Sequence, residues 1–183
     1  MQKKVFGIGF HKTATSSLGS ALSILGYRVC GAVGVRDPDI ESNVYALVDK
    51  NAAMYDAFHD HPWSVTYKYL DKKYPDSNFI LTIRNDEDWL ASALAHFGSA
   101  DTPMRQWVYG EGHPEGNEAL YLARYRQHEH EVRDYFQDRP AKLLVMDITS
   151  GDAWPALCNF LDKPFPADEF PFKNSASARD INV

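Results

Sequence analysis

The stretch VFGIGFHKTATSSL, residues 5–18, governs the reading of the whole chain. It opens as an apolar run broken by Gly7 and Gly9, the pattern of a short buried strand. Residues 7–15 then read as a loop. From Ser16 the spacing turns helical: Leu18, Ala21, Leu22 and Leu25 share a face, and Gly26 follows as a stop. In such a strand–loop–helix, small residues let the backbone wrap an anion. The helix start aims its unpaired N–H groups and its dipole at that anion. Lys12 adds a full positive charge, and Thr13, Thr15, Ser16 and Ser17 add hydroxyl donors. An ordinary strand-to-helix turn needs only a capping hydroxyl, so this density of donors behind a lysine reads as a cradle for phosphate. It is not the ATP-type pattern G-x-x-x-x-G-K-[ST], because Phe10 and His11 precede Lys12 where that pattern has glycine.

Strands and helices alternate along the rest of the chain. Residues 27–30 suggest a second strand and residues 31–39 a loop. Residues 40–58 read as helical, residues 59–62 as a break, and residues 65–74 as helical again. FILTIR, residues 79–84, is the clearest strand, apolar enough to be covered on both faces. Asn85 or Asp86 is placed to cap the helix that follows, which stops at Gly98. Residues 98–117, glycine-rich with Met104, Trp107 and Tyr109, read as a long loop or lid. A charged helix over 118–136, a strand over 142–148 and a short helix over 153–161 complete the pattern. Pro164, Pro166 and Pro171 then impose an extended strap, with 175–183 as a flexible tail. This alternation predicts a single α/β domain, three layers α/β/α around a mostly parallel sheet, with ligands at the carboxyl ends of the strands.

Bulk properties narrow the function. A chain of 183 residues suits one domain. The net charge of −6 argues against a broad nucleic-acid-binding face, so any anion site is local. Cys30 and Cys158 lack metal-type spacing and suit a reducing compartment. The apolar residues after Lys4 are interrupted too soon to be a signal peptide or a membrane span, and the expectation is a soluble, cytoplasmic protein. His128 with Glu131, and His130 with Asp134, have helical spacing. They read as pairs on a solvated face, not as metal ligands.

FHKTATSSL, residues 10–18, resembles the 5′-phosphosulfate loop of sulfotransferases that use 3′-phosphoadenosine 5′-phosphosulfate (PAPS). That family usually carries glycine at the position of Ala14. The resemblance implies that His11, Lys12, Thr13, Ala14, Thr15, Ser16 and Ser17 surround the donor's 5′ end. FILTIRNDEDWLAS, residues 79–92, is similar to the family's 3′-phosphate segment, with Arg84 at a strand end and Ser92 on the next helix. A guanidinium fork suits a phosphate dianion, and a hydroxyl completes it. WPALCNFL (154–161), PFP (164–166) and FPFKN (170–174) extend the likeness, which runs from residue 4 to about residue 174.

The resemblance implies a P-loop NTPase-like variant of the fold. It also implies in-line sulfuryl transfer from PAPS to a hydroxyl or amine of a small molecule or glycan. Adenosine 3′,5′-bisphosphate is the product, and no metal is required. Lys12 would neutralise charge on the bridging oxygen. FHDHP, residues 58–62, resembles the family's Asp-x-Pro segment near the acceptor, which makes Asp60 the first candidate for general base and His61 the second, with His11, beside Lys12, the third. Two rival readings remain. LLVMD, residues 143–147, would suit a nucleotide-dependent small-molecule kinase with a magnesium-binding aspartate. Ala14 would suit a nucleotide-binding family member without activity.

Overall fold

The computed structural model describes residues 3–151 and 153–172. Residues 173 and 174 of the C-terminal motif, and the tail expected to be flexible, lie outside them. Five short strands form the sheet: β1 (Val5–Gly7), β2 (Val29–Cys30), β3 (Ala57–Phe58), β4 (Asn78–Thr82) and β5 (Leu143–Met146). Their order is β2-β3-β1-β4-β5, and every neighbouring pair is parallel. In register, Phe6 pairs with Phe58 on one side and Phe79 on the other.

Side-chain alternation along these strands divides the core in two. Phe6, Ile8, Phe58, Phe79 and Leu81 face one way, under α2 (Ile40–Ala52), α3 (Tyr67–Lys73), α5 (Pro103–Tyr109) and α6 (Glu118–Phe136). Trp89 of α4 (Asp86–Phe97) joins that layer. Val5, Ala57, Ile80 and Met146 face the other way, under α1 (Thr15–Ile24) and α7 (Trp154–Leu161). This is the three-layer α/β/α arrangement the alternation predicts, with strands apolar on both faces as parallel sheets require. Cys30 and Cys158 are buried thiols in opposite layers and form no disulfide.

Three sequence readings need correction. The helix expected over 40–58 ends at Ala52, and Ala57–Phe58 is the strand inserted between β1 and β2. Two residues are too few to show a period of two, and no glycine or proline marks the end of α2. The loop expected over 98–117 contains α5, whose start and stop are conventional. Thr102 Oγ1 accepts from Arg105 N–H, Pro103 occupies the first turn, and Gly110 closes it at φ 86°. His128 is not on a solvated face: it is buried, its Nε2 lies 2.7 Å from the carbonyl of Ile8, and its ring stacks on Phe10. His130 and Asp134 do face solvent, 3.4 Å apart.

The carboxyl ends of β1, β3, β4 and β5 lie along one edge, so the segments after Gly7, Phe58, Thr82 and Met146 converge there. Helix α1 reaches this edge because Gly19 lets it press on His59: a Cβ at Gly19 would sit 2.4 Å from His59 Nε2. The His59 ring also rests against Gly31, which leaves it little room to retreat. Gly19→Ala is therefore expected to destabilise the fold by about 2 kcal/mol through overpacking, measured by urea denaturation. The double variant Gly19→Ala/His59→Ala should recover most of that loss.

Candidate active site

After β1 the chain turns sharply. Gly9 passes so close to β4 that a Cβ there would lie 2.0 Å from Thr82 Oγ1. Thr13 Oγ1 donates to the carbonyl of Phe10 at 2.6 Å and lies 2.6 Å from Thr82 Oγ1. A hydroxyl has one hydrogen, so Thr82 is the donor in the second contact. Lys12 and Ala14 take left-handed conformations, φ 69° and 64°, on either side of Thr13. Such alternation turns successive N–H groups into a shared concavity, the geometry of an anion nest. Ala14 is also the N-cap of α1, which has no side-chain cap and no acidic residue in its first turn. The first-turn N–H groups of α1 thus meet neither a cap nor a carboxylate of that turn.

Arg84 follows β4. Its Nη1 donates to the carbonyl of Lys12 at 3.3 Å, and its buried Nε has no partner among the described residues. The Arg84 backbone lies just beyond the last sheet rung, from Ile83 N–H to the Met146 carbonyl. Tyr125 of α6 takes over there: its hydroxyl accepts from Arg84 N–H and donates to the Arg84 carbonyl, both at 2.9 Å. Burial raises the carboxyl of Glu129, one turn further along α6, above the usual range, with the nearby Tyr125 hydroxyl opposing the shift. Trp89 Nε1 donates to the carbonyl of His11 at 2.9 Å, and its ring stacks on Tyr125. Asn85 caps α4, and Ser92 on that helix faces the same cavity as Arg84.

The third contribution comes from the end of β3. Asp60 takes a left-handed conformation, φ 73°. Its Oδ1 accepts from the backbone N–H of His61 at 2.8 Å, and its Oδ2 from the Thr15 hydroxyl at 3.3 Å. His61 is buried, follows Asp60 directly and precedes a cis bond to Pro62. Its Nδ1 is hydrogen-bonded to Ser64 Oγ, while its Nε2 has no partner among the described residues. Burial pushes His61 down to about 4, with Arg124 and Arg105 adding to the effect and the Asp60 charge opposing it. His11 is also buried, with Nε2 2.8 Å from the Tyr109 hydroxyl. Burial, then His61, Arg105, Lys12 and His96, hold it well below the usual histidine range. At neutral pH both rings are neutral.

These segments enclose a cavity of about 630 Å³. Its lining includes Lys12, Ala14, Thr15, Ser16, Ser17, Arg84 and Ser92, together with His11, Asp60, His61 and Arg105 and the apolar side chains of Ala32, Val35, Phe97 and Met104. One ligand atom each from His11, Asp60 and His61 falls within 4.8 Å of the others, close enough to gather a metal ion. Arg105 acts on both histidines, Lys12 on His11 and Arg124 on His61, each against added positive charge, while the Asp60 carboxylate favours it at His61.

A family model described as a sulfotransferase domain matches residues 4–179. The chain belongs to the sulfotransferase family. Among curated proteins, none matches it. Among the described residues, no helix is long and apolar enough to cross a membrane.

Against this sulfotransferase frame, most of the residues singled out in the sequence meet at the cavity. Thr13 does not: its hydroxyl is committed to Phe10 and Thr82, so it ties the loop to the sheet and is not available to a phosphate. Asp147, the aspartate of the kinase reading, is also committed elsewhere. Its Oδ1 accepts from Thr149 N–H at 2.8 Å and from the Thr149 hydroxyl at 2.6 Å, which caps a short turn. Trp107 lies apart from the cavity, against Pro38, Ile40 and Pro103. The sequence reading missed Ser64, Trp89, Arg105 and Tyr125. The stripe Tyr121, Tyr125, His128, Val132 marks the buried side of α6 and would have revealed the last of these.

Two outcomes follow from this geometry. Ala14→Gly removes a left-handed alanine, worth ~1 kcal/mol, against the greater freedom glycine has when unfolded. A net gain of about 0.5 kcal/mol is expected in the denaturation free energy. The second concerns pH. Burial holds His11, His61 and His128 below the unfolded histidine value, His128 at about 3. The unfolded chain then binds protons that the folded chain refuses. Stability is complete above about pH 6.5 and falls on acidification toward each folded value, by up to about 1.4 kcal/mol per pH unit for each histidine. The urea midpoint should drop between about pH 7.5 and pH 5, and His128→Gln, which keeps a donor for the Ile8 carbonyl, should flatten that drop.

Proposed function

We propose that this sulfotransferase takes its sulfuryl group from PAPS and passes it to a hydroxyl of a small-molecule acceptor. The observation that carries the reading is Arg84. Its buried Nε has no partner among the described residues, while its Nη1 donates to the Lys12 carbonyl, beside a helix start that has no cap of its own. Two anion sites so close together, on the ends of adjacent strands, suit a ligand phosphorylated at two positions of one ribose.

In this reading Arg84 and Ser92 take the 3′-phosphate. The nest around Lys12 and Ala14, with the first-turn N–H groups of α1 and the hydroxyls of Ser16 and Ser17, takes the 5′-phosphosulfate. The acceptor lies between Phe97, Met104 and Val35, with its hydroxyl toward His61 Nε2. The acceptor oxygen forms its bond to sulfur as the bond from sulfur to the bridging phosphate oxygen breaks, and the hydroxyl proton passes to His61. Lys12 balances the charge that develops on the bridging oxygen. The Asp60 carboxylate stabilises the imidazolium that forms. His61 is preferred to Asp60 as base because both Asp60 oxygens already accept hydrogen bonds, and to His11 because Tyr109 holds its Nε2. The two buried thiols fit a cytoplasmic setting.

Calorimetric titration with adenosine 3′,5′-bisphosphate tests the donor assignment. Binding is expected without magnesium, weakened about tenfold to a hundredfold by Lys12→Ala or Arg84→Ala. Unchanged affinity in both variants, or a preference for magnesium–ATP, would overturn it. Transfer assays test the base: His61→Gln should lower kcat by about a hundredfold or more while bisphosphate affinity holds. Asp60→Asn, which keeps one acceptor oxygen and loses the charge, should have a smaller effect.

A further inference from the structure

Neither Trp89 nor Tyr125 lines the cavity, yet each holds a part of it. Tyr125 provides both hydrogen-bond partners of the Arg84 backbone at the point where the sheet can no longer do so. Trp89 provides the donor for the His11 carbonyl, at the start of the other anion site. The two rings lie 4.3 Å apart at an angle of 6°, both buried, joining α4 to α6. The stacked pair therefore spans the two sites: one hydroxyl fixes the arginine, one indole N–H fixes the loop, and the ring stack fixes the distance between them. A backbone N–H and C=O beyond a sheet edge wander unless something pairs them, and here the partner is a side chain anchored in the core.

We infer that Trp89 and Tyr125 are positioning residues that set the spacing between the 3′- and 5′-phosphate sites, and that Tyr125 in particular confers the selectivity for a 3′-phosphorylated nucleotide. The inference rests on the donor reading above. A hydroxyl that acts through Arg84 must matter most to ligands that reach Arg84, whose own hold on the 5′ loop, among the described residues, is the one 3.3 Å bond to the Lys12 carbonyl.

The test compares adenosine 3′,5′-bisphosphate with adenosine 5′-monophosphate, by calorimetry on wild type, Tyr125→Phe and Trp89→Phe. Tyr125→Phe keeps the ring stack and loses only the hydroxyl. It should reduce the preference for the bisphosphate about tenfold, the scale of a lost hydrogen bond to a positioned group, with a much smaller change in the monophosphate affinity. Trp89→Phe loosens the loop that both ligands share, so both affinities should fall together with their ratio preserved. In an Arg84→Ala background, Tyr125→Phe should have no further effect on the bisphosphate. Hydrogen exchange at the Arg84 amide, faster in Tyr125→Phe, gives a readout independent of ligand. If wild type prefers the bisphosphate but Tyr125→Phe weakens both ligands equally, or neither, the inference falls and the donor reading stands. If wild type shows no preference, the donor reading falls and takes the inference with it.

Discussion

Gly9 runs against Thr82 with no room for a side chain between them, and the Thr82 hydroxyl donates across that gap to Thr13. This contact locks the loop after β1 to the end of β4. Without it the loop would have no fixed height above the sheet, and Lys12 would have no fixed relation to Arg84. Because the loop is held from below, its next residues are free to coil back through left-handed Lys12 and Ala14 and present N–H groups upward. The loop is thus rigid from packing, while its polar face stays turned to the cavity.

The legible parts of this protein were those with enough residues to show a period or with chemistry concentrated in few positions. The loop around Lys12, the strand through Leu81 and the helix start at Asn85 all carry several independent signals in one short window. The strand Ala57–Phe58 carries none: its two side chains point to opposite faces, and an alanine and a phenylalanine after a helix look like more helix. That omission concealed why Asp60 and His61 reach the cavity. What reads as a break between helices is the loop at the carboxyl end of a parallel strand beside β1. His128 and Tyr125 were hidden by composition, since charged neighbours on the outer face of α6 mask the aromatic stripe on its inner face. The part of Thr13 is invisible in sequence for a different reason. A hydroxyl can turn either way, and only tertiary packing decides which.

Several groups at this edge are positioned at a cost to stability. His11 and His61 are buried without charge among Lys12, Arg105 and Arg124, and several polar nitrogens, His61 Nε2, Arg84 Nε and His59 Nδ1 among them, have no hydrogen-bond partner among the described residues. Left-handed Ala14 and Asp60 add backbone strain. The cores on either side of the sheet, with Trp63, Trp89, Phe6 and Phe79 fully buried, offset these costs and those of Tyr67 Oη and His128 Nδ1, which are buried in the core without a partner among the described residues.

The two helices whose first turns face the cavity differ in one respect. Asn85 and three acidic residues complete α4, whereas α1 begins on an alanine with no cap and no acid. An anion seated at α1 would accordingly do what Asn85 does for its own helix. Ligand and fold are coupled there: whatever binds the folded form alone raises its resistance to heat, by an amount that grows with the logarithm of ligand concentration. A nucleotide bound there as proposed would in this sense be a missing piece of secondary structure, and the edge assigned the chemistry would be the edge that gains most order when it arrived.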